Sequence, residues 1–210
     1  MTQIMQSKLA RGVYVILDPA ISAAPLDLLD ATIRAGTRTF QLRQKAGVDR
    51  LLLRALLARA HAAGATLIVN DDLDAALEAD GWHGGQEDIA SLDLAAVRAA
   101  LGSRLLGISC GTAREARRAH VAGADYVGTG PFAVTATKGD AGNAIGVAGV
   151  AAVVAAVPLP IVAIGGIDAA NIAAVARSGA HMAAVISAVT RAPDPEAATR
   201  ALIVAWEAAG

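Results

Sequence analysis

Apolar residues recur along this chain in two different periods. Short runs such as VYVIL (13–17), TLIVN (66–70), PIVAIGG (160–166) and HMAAVIS (181–187) are apolar at nearly every position. That pattern predicts strands buried on both faces. Between such runs the apolar positions fall three or four apart, as at Leu26, Leu29 and Ile33, or at Leu52, Leu56 and Ala60. That spacing predicts helices with one inward face. The alternation continues through the chain, with strands expected over 13–17, 39–43, 66–70, 80–84, 104–109, 124–128, 160–166 and 181–187. Helices are expected to stop at Gly36, Gly64, Gly102, Gly123 and Gly179. Thr112 followed by Glu115 reads as a capping box. Asp168 is expected to cap the helix that ends near Gly179, and the last helix, 194–208, to turn Ala198, Leu202 and Ala205 inward.

Eight strands, each followed by a helix, imply right-handed crossovers and a parallel sheet. Eight such units in a chain of 210 residues predict an α/β fold, a single-domain (β/α)8 TIM barrel over residues 1–210. The rival, an open doubly wound sheet, more usually has five or six strands, and no GxGxxG fingerprint follows the first strand.

Composition narrows the picture. Hydrophobic residues make up 55% and aromatics 3%, so the core is expected to be Ala, Val, Leu and Ile. A net charge of −1 gives no electrostatic case for nucleic acid. The lone cysteine, Cys110, excludes an intramolecular disulfide and a cysteine-rich zinc site, and suits a reducing compartment. The segment MTQIMQSKLARG has no continuous apolar run of the signal-peptide kind. Residues 144–167 are uncharged and mostly apolar, but Pro158 and Pro160 break them, so a buried helix, a turn and a strand are expected rather than a membrane span. The expectation is a soluble, cytoplasmic protein with no membrane partner. Self-association into a homo-oligomer is left open.

In a barrel of this kind chemistry gathers at the C-terminal ends of the strands. Gln41, Arg43 and Lys45 alternate at the end of strand two. Arg grips phosphate through paired hydrogen bonds and Lys adds a point charge; the plainer alternative is a solvated basic tip. Asp71 and Asp88 follow successive strands, and paired carboxylates with open positions suit Mg2+. A helix cap and a surface acid are the plainer roles for them. Ser109 ends strand five. The stretch GTGPFAVTATK (128–138) leaves strand six with two glycines and brings Thr135, Thr137 and Lys138 together, either as an anion-closing loop or as ordinary polar surface. Gly165 and Gly166 after strand seven allow close backbone approach to a ligand, or simply a tight turn, and Ser187 follows strand eight. His83 lies at the end of strand four, placed either to line the rim or, more simply, to serve as a hydrogen-bonded structural histidine. Cys110 is read as inert, Trp82 and Trp206 as packing residues, and Tyr126 as barrel filling.

Taken in order, QLRQK (41–45), ND (70–71), DGWHGGQED (80–88), GIS (107–109), GADYVGTGP with TATK (123–138), VAIGGI (162–167) and VIS (185–187) resemble the thiamine phosphate synthase family along nearly the whole chain. The resemblance implies a Mg2+-dependent transferase that joins a hydroxymethylpyrimidine diphosphate to a thiazole phosphate, releasing pyrophosphate. It implies that Gln41, Arg43, Lys45, Asn70 and Lys138 hold the pyrimidine diphosphate, that Leu42 and Gln44 belong to the substrate-binding stretch between them, with the Gln44 side chain alternating away, and that Asp71 and Asp88 ligate the metal. It further implies that Ser109 assists departure of the diphosphate, with Arg43 and Lys138, and that Thr135, Thr137, Gly166, Ile186 and Ser187 bind the thiazole phosphate, with Ala136 and Gly165 among the substrate-binding residues beside them. The chain departs from the family pattern at Gln44, at Gly84 (usually bulky), at Gly111 (usually histidine) and in AVTATK (usually FPTPTK). A thiazole tautomerase would need that histidine. A non-catalytic binder would not need the metal and diphosphate half of the site, and a phosphate-sugar isomerase would need a general base, for which Glu87 is the one candidate.

Overall fold

The computed structural model describes residues 9–90, 92–134 and 143–210, with the side chains of Glu87 and Asp88 excepted. Eight parallel strands close into a barrel in chain order: β1 (Gly12–Leu17), β2 (Thr39–Leu42), β3 (Thr66–Asn70), β4 (Gly81–Gly84), β5 (Leu105–Cys110), β6 (Tyr126–Thr129), β7 (Ile161–Ile164) and β8 (Met182–Val185). The helices are α1 (Pro25–Ala35), α2 (Arg50–Ala62), α3 (Leu73–Ala76), α4 (Gln86–Ile89), α5 (Leu94–Leu101), α6 (Ala113–Val121), α7 (Gly146–Val154), α8 (Ile172–Arg177), α9 (Ser187–Thr190) and α10 (Pro195–Glu207). Closure occurs where β1 pairs with β8, Gly12 opposite Met182. The expected (β/α)8 TIM barrel is therefore the observed fold.

Alternation along each strand divides the core in two. Residues facing out, such as Val15, Phe40, Leu67 and Leu106, pack under the helices in one large apolar cluster. Residues facing in, such as Tyr14, Ile16, Ile68, Tyr126 and Met182, form a smaller one that fills the barrel. Every residue of β1, β2, β4, β6 and β8 is buried, which is why these strands carry no alternating polar face.

Asp49, Asp72, Asp93, Thr112 and Asp194 each accept backbone N–H bonds at a helix start. The Thr112–Glu115 pairing works in a shifted form: Glu115 N–H donates to Thr112, while the Glu115 carboxylate accepts from Gly111 N–H rather than from Thr112 itself. Two expectations need correction. Asp168 Oδ1 accepts from Ala170 N–H in the turn before α8, and the helix begins at Ile172 after Asn171. Residues 168–171 are held instead by Asn171, whose amide donates to Gly166 O at 2.7 Å. The inward face of α10 centres on Thr199, Leu202 and Trp206, because Trp206 is far larger than Ala205 and its burial sets the rotation of the helix. Ala198 and Ala205 flank that face, half-buried. Among the described residues no helix is long and apolar enough to cross a membrane; the 144–167 stretch resolves into the expected helix, turn and strand, but α7 buries only Val150 and Val153 and exposes Val147 rather than being buried all round.

Candidate active site

The C-terminal mouth of the barrel collects the polar groups. On β2, Gln41 points inward, 4% exposed, and its amide donates to Tyr14 OH at 3.1 Å. Leu42 points outward and is fully buried. Arg43, one residue past the strand, is half-buried at the rim. Its Nη1 meets Asp18 Oδ2 at 2.5 Å. Asp18 itself is 3% exposed and also accepts from Ala20 N–H. This pairing holds one side of the guanidinium and leaves the rest of the fork available. Gln44 turns away from the mouth to accept from Asp49 N–H, and Lys45 is exposed.

Across the mouth, Asn70 follows the inward-facing Ile68 by two residues and so shares its face. Asp71 has φ +64°, a left-handed conformation unusual outside glycine, though tolerated by Asp. The strain is held by neighbours: Trp82 Nε1 donates to Asp71 O at 3.0 Å, and Asp71 N–H donates to His83 O at 3.0 Å. A strained residue persists where its surroundings over-determine it, commonly at functional sites. Asp72, by contrast, is the cap of α3. Asp88 lies on α4, within the β4–β5 connection, and its side chain lies outside the described atoms. The side chain of Glu87 likewise lies outside the described atoms. Asp71 at the mouth offers oxygen donors, the ligand type Mg2+ takes.

Ser109, half-buried at the end of β5, lies 2.9 Å from His83 Nε2, and its carbonyl accepts a bond from Gln86 of α4. Cys110 faces the outer apolar layer; burial, reinforced by the Glu115 charge, pushes its thiol up to about 12. A buried, protonated thiol is a poor nucleophile, which agrees with the inert role expected of it.

Thr135, Ala136, Thr137 and Lys138 lie outside the described residues. The segment that leads to them is placed. Phe132 N–H donates to Ile164 O, and Ala133 N–H to Gly165 O. Gly165 and Gly166 have φ +96° and +66°. A Cβ on Gly166 would stand 2.7 Å from Val134 O, and one on Gly165 2.8 Å from Pro131 Cα. The backbone that comes close to these glycines is thus the chain's own β6 loop, stacked on the β7 turn. Ile186 and Ser187 are half-buried and lead into α9.

Four residues emerge that the sequence alone did not single out as site-forming: Asp18, Tyr14, Tyr126 and His83. Asp18 had a readable signal, since it follows the inward-facing Ile16 by two residues at the C-terminal end of β1. One departure from the family pattern is explained: a Cβ on Gly84 would stand 2.3 Å from Trp82 Cη2 and 2.9 Å from Ile89 Cγ2. The Trp82 ring occupies the space a bulky residue at 84 would need.

A closed barrel whose catalytic mouth sets Arg43, Asn70, Asp71 and Ser109 around one opening has the makings of a (β/α)8 enzyme that takes anionic substrates. Comparison with known proteins makes this specific. The family model described as thiamine monophosphate synthase matches residues 13–189, and the chain belongs to that family, whose members are transferases. It is 46% identical over 198 residues to a thiamine-phosphate synthase of Roseiflexus castenholzii, covering 90% of this chain and 86% of that one. It is 45% identical over 197 residues to the Moorella thermoacetica thiamine-phosphate synthase, covering 90% and 92%. Among solved structures, a thiamine phosphate pyrophosphorylase from Pyrococcus furiosus superposes with TM-score 0.84 at 30% identity, covering 97% of this chain and 98% of that one.

Proposed function

We propose that this chain condenses a hydroxymethylpyrimidine diphosphate with a thiazole phosphate, giving thiamine phosphate and pyrophosphate. The observation that carries the reading is the Arg43–Asp18 pair at the same mouth as Asn70, Asp71 and Ser109, inside the span matched by the family model. Gln41, Leu42, Arg43, Gln44, Lys45, Asn70 and Lys138 are assigned to the pyrimidine diphosphate. Of these, Leu42 and Gln44 contribute backbone and spacing, since their side chains face away. Thr135, Ala136, Thr137, Gly165, Gly166, Ile186 and Ser187 are assigned to the thiazole phosphate. The whole chain, 1–210, acts as one barrel domain on small charged molecules in the cytoplasm.

The chemistry follows from the charges. The C–O bond between the pyrimidine methylene and the diphosphate breaks, and its electron pair leaves with the diphosphate. The electron-rich pyrimidine stabilises the cationic methylene left behind. The thiazole nitrogen then donates its lone pair, forming the C–N bond. No protein nucleophile is required, and Cys110 could not serve as one. Arg43, Lys45 and Lys138 offset the charge that builds on the leaving group, and Ser109 donates a hydrogen bond to it. Asp71 and Asp88 would hold Mg2+, which supplies further positive charge to the diphosphate when bound.

The test is product formation by the purified protein with both substrates, with and without Mg2+. Metal-dependent thiamine phosphate, lost in Asp88→Ala, is the expected result. Tight thiazole phosphate binding with no product would overturn the reading in favour of a binding protein. Activity retained in full by Lys138→Ala would overturn the role given to the β6 loop.

A further inference from the structure

Five side chains from five strands touch in a line across the barrel. Gln41 Nε2 donates to Tyr14 OH at 3.1 Å. The hydroxyls of Tyr14 and Tyr126 are 3.4 Å apart. Tyr126 OH lies 2.9 Å from His83 Nδ1, and His83 Nε2 lies 2.9 Å from Ser109 Oγ. Tyr14 and Tyr126 are essentially solvent-free. The barrel is shaped around them: a Cβ on Gly107 would stand 2.1 Å from Tyr126 Cζ, and one on Gly128 3.0 Å from His83 Cε1. A buried polar line of this length is costly unless each group is satisfied, and the three middle members have no part in the substrate set assigned above.

One assignment of the protons gives every hydroxyl in the line an acceptor. Each tyrosine has one O–H, and burial raises both well above the ordinary phenol value, so both keep it. With Gln41 donating to Tyr14, that assignment sends the Tyr14 proton to Tyr126. Tyr126 then donates its own to His83 Nδ1. A ring nitrogen that accepts carries no proton, so the neutral imidazole bears its proton on Nε2 and donates to Ser109 Oγ. Every bond in the line points the same way, and the Ser109 proton is left for a group outside it.

We propose that Tyr14, Tyr126 and His83 are positioning residues that fix the His83 tautomer and thereby present Ser109 as a hydrogen-bond donor to the departing diphosphate. The proposal rests on the functional reading above. The diphosphate oxygens are acceptors only. With the line reversed, Ser109 would give its proton to His83 and turn lone pairs toward them. A hydrogen bond to a charged group made in the transition state corresponds to about ten- to hundredfold in rate.

The experiment combines 15N NMR of histidine-labelled protein with steady-state kinetics on Tyr126→Phe, Tyr14→Phe and Ser109→Ala. The wild-type His83 is expected to carry its proton on Nε2. Tyr126→Phe is expected to mix the tautomers and lower kcat about ten- to hundredfold, with KM for thiazole phosphate within about twofold. Tyr14→Phe, which leaves the Tyr126–His83 contact, gives a smaller effect of the same kind. In a Ser109→Ala background, Tyr126→Phe should cost almost nothing more, because there is no hydroxyl left to orient. A wild-type proton on Nδ1, or an equal loss from Tyr126→Phe with and without Ser109, would overturn the relay. An Nε2 proton in a protein that forms no thiamine phosphate would uphold the relay's direction and overturn the functional reading instead.

Discussion

Arg43 can meet an anion at the mouth because Asp18, nearly solvent-free, holds it there. A buried carboxylate stripped of its partner is costly, so Arg43→Ala should lower stability by about 3–5 kcal/mol, in addition to any loss of substrate affinity. Chemical denaturation run beside the kinetics separates the two effects. Asp18→Asn keeps the shape but frees the guanidinium. It should weaken the pyrimidine diphosphate about tenfold in KM, with little change for thiazole phosphate; equal losses for both substrates would place Arg43 elsewhere. At Cys110, burial holds the thiol at about 12. Alkylation of the folded protein by iodoacetamide at pH 8 should therefore run at least about a hundredfold slower than in urea. Similar rates would show that β5 opens easily.

On β4, Trp82 and Gly84 share one space. Gly84→Leu should destabilise by about 2 kcal/mol or more through overpacking, and Trp82→Val by about 3 kcal/mol through the cavity it leaves. Together they should recover at least half of the summed loss, a coupling readable in a urea double-mutant cycle. Simple additivity would mean that the two positions do not compete. The β6 and β7 ends form a second such unit, because the loop 131–134 is stacked on Gly165–Gly166. Gly166→Ala forces a side chain against Val134 O and Ala133 O at a positive φ. It should therefore disturb the loop that carries Thr135 to Lys138 while leaving most of the fold intact. A large activity loss with a small change in denaturation midpoint is the expected pattern.

At the scale of the whole barrel, burial of Tyr14, Tyr126 and Cys110 makes stability fall in alkali. Each keeps its proton to a higher pH folded than unfolded, so above about pH 9, where the unfolded thiol begins to ionise, the unfolded chain binds fewer protons. The stabilisation is complete below that pH and is lost as pH rises toward about 12. Urea midpoints should decline from pH 8 to pH 10.5, and Tyr126→Phe should reduce the decline. A flat profile would contradict the burial of these groups.

Eight apolar runs separated by helical spacing determined the barrel from the sequence, because strands buried on both faces and helices buried on one impose different periods on the chain. The same alternation put Gln41, Arg43, Asn70, Asp71 and Ser109 at strand ends, where this fold gathers its chemistry. Short helices such as α4 and α9 escaped, since four residues are too few to show a period. So did the rotation of α10, where the size of one tryptophan outweighed the alanine pattern. What only the tertiary structure decided is which distant residues meet. Tyr14, His83 and Tyr126 are far apart in sequence on strands that are not neighbours, and nothing local relates them. Barrel closure alone turns them onto one line, because it points alternate residues of every strand at a common axis. Asp18 reaches Arg43 for the related reason that β1 and β2 pair in register at that axis.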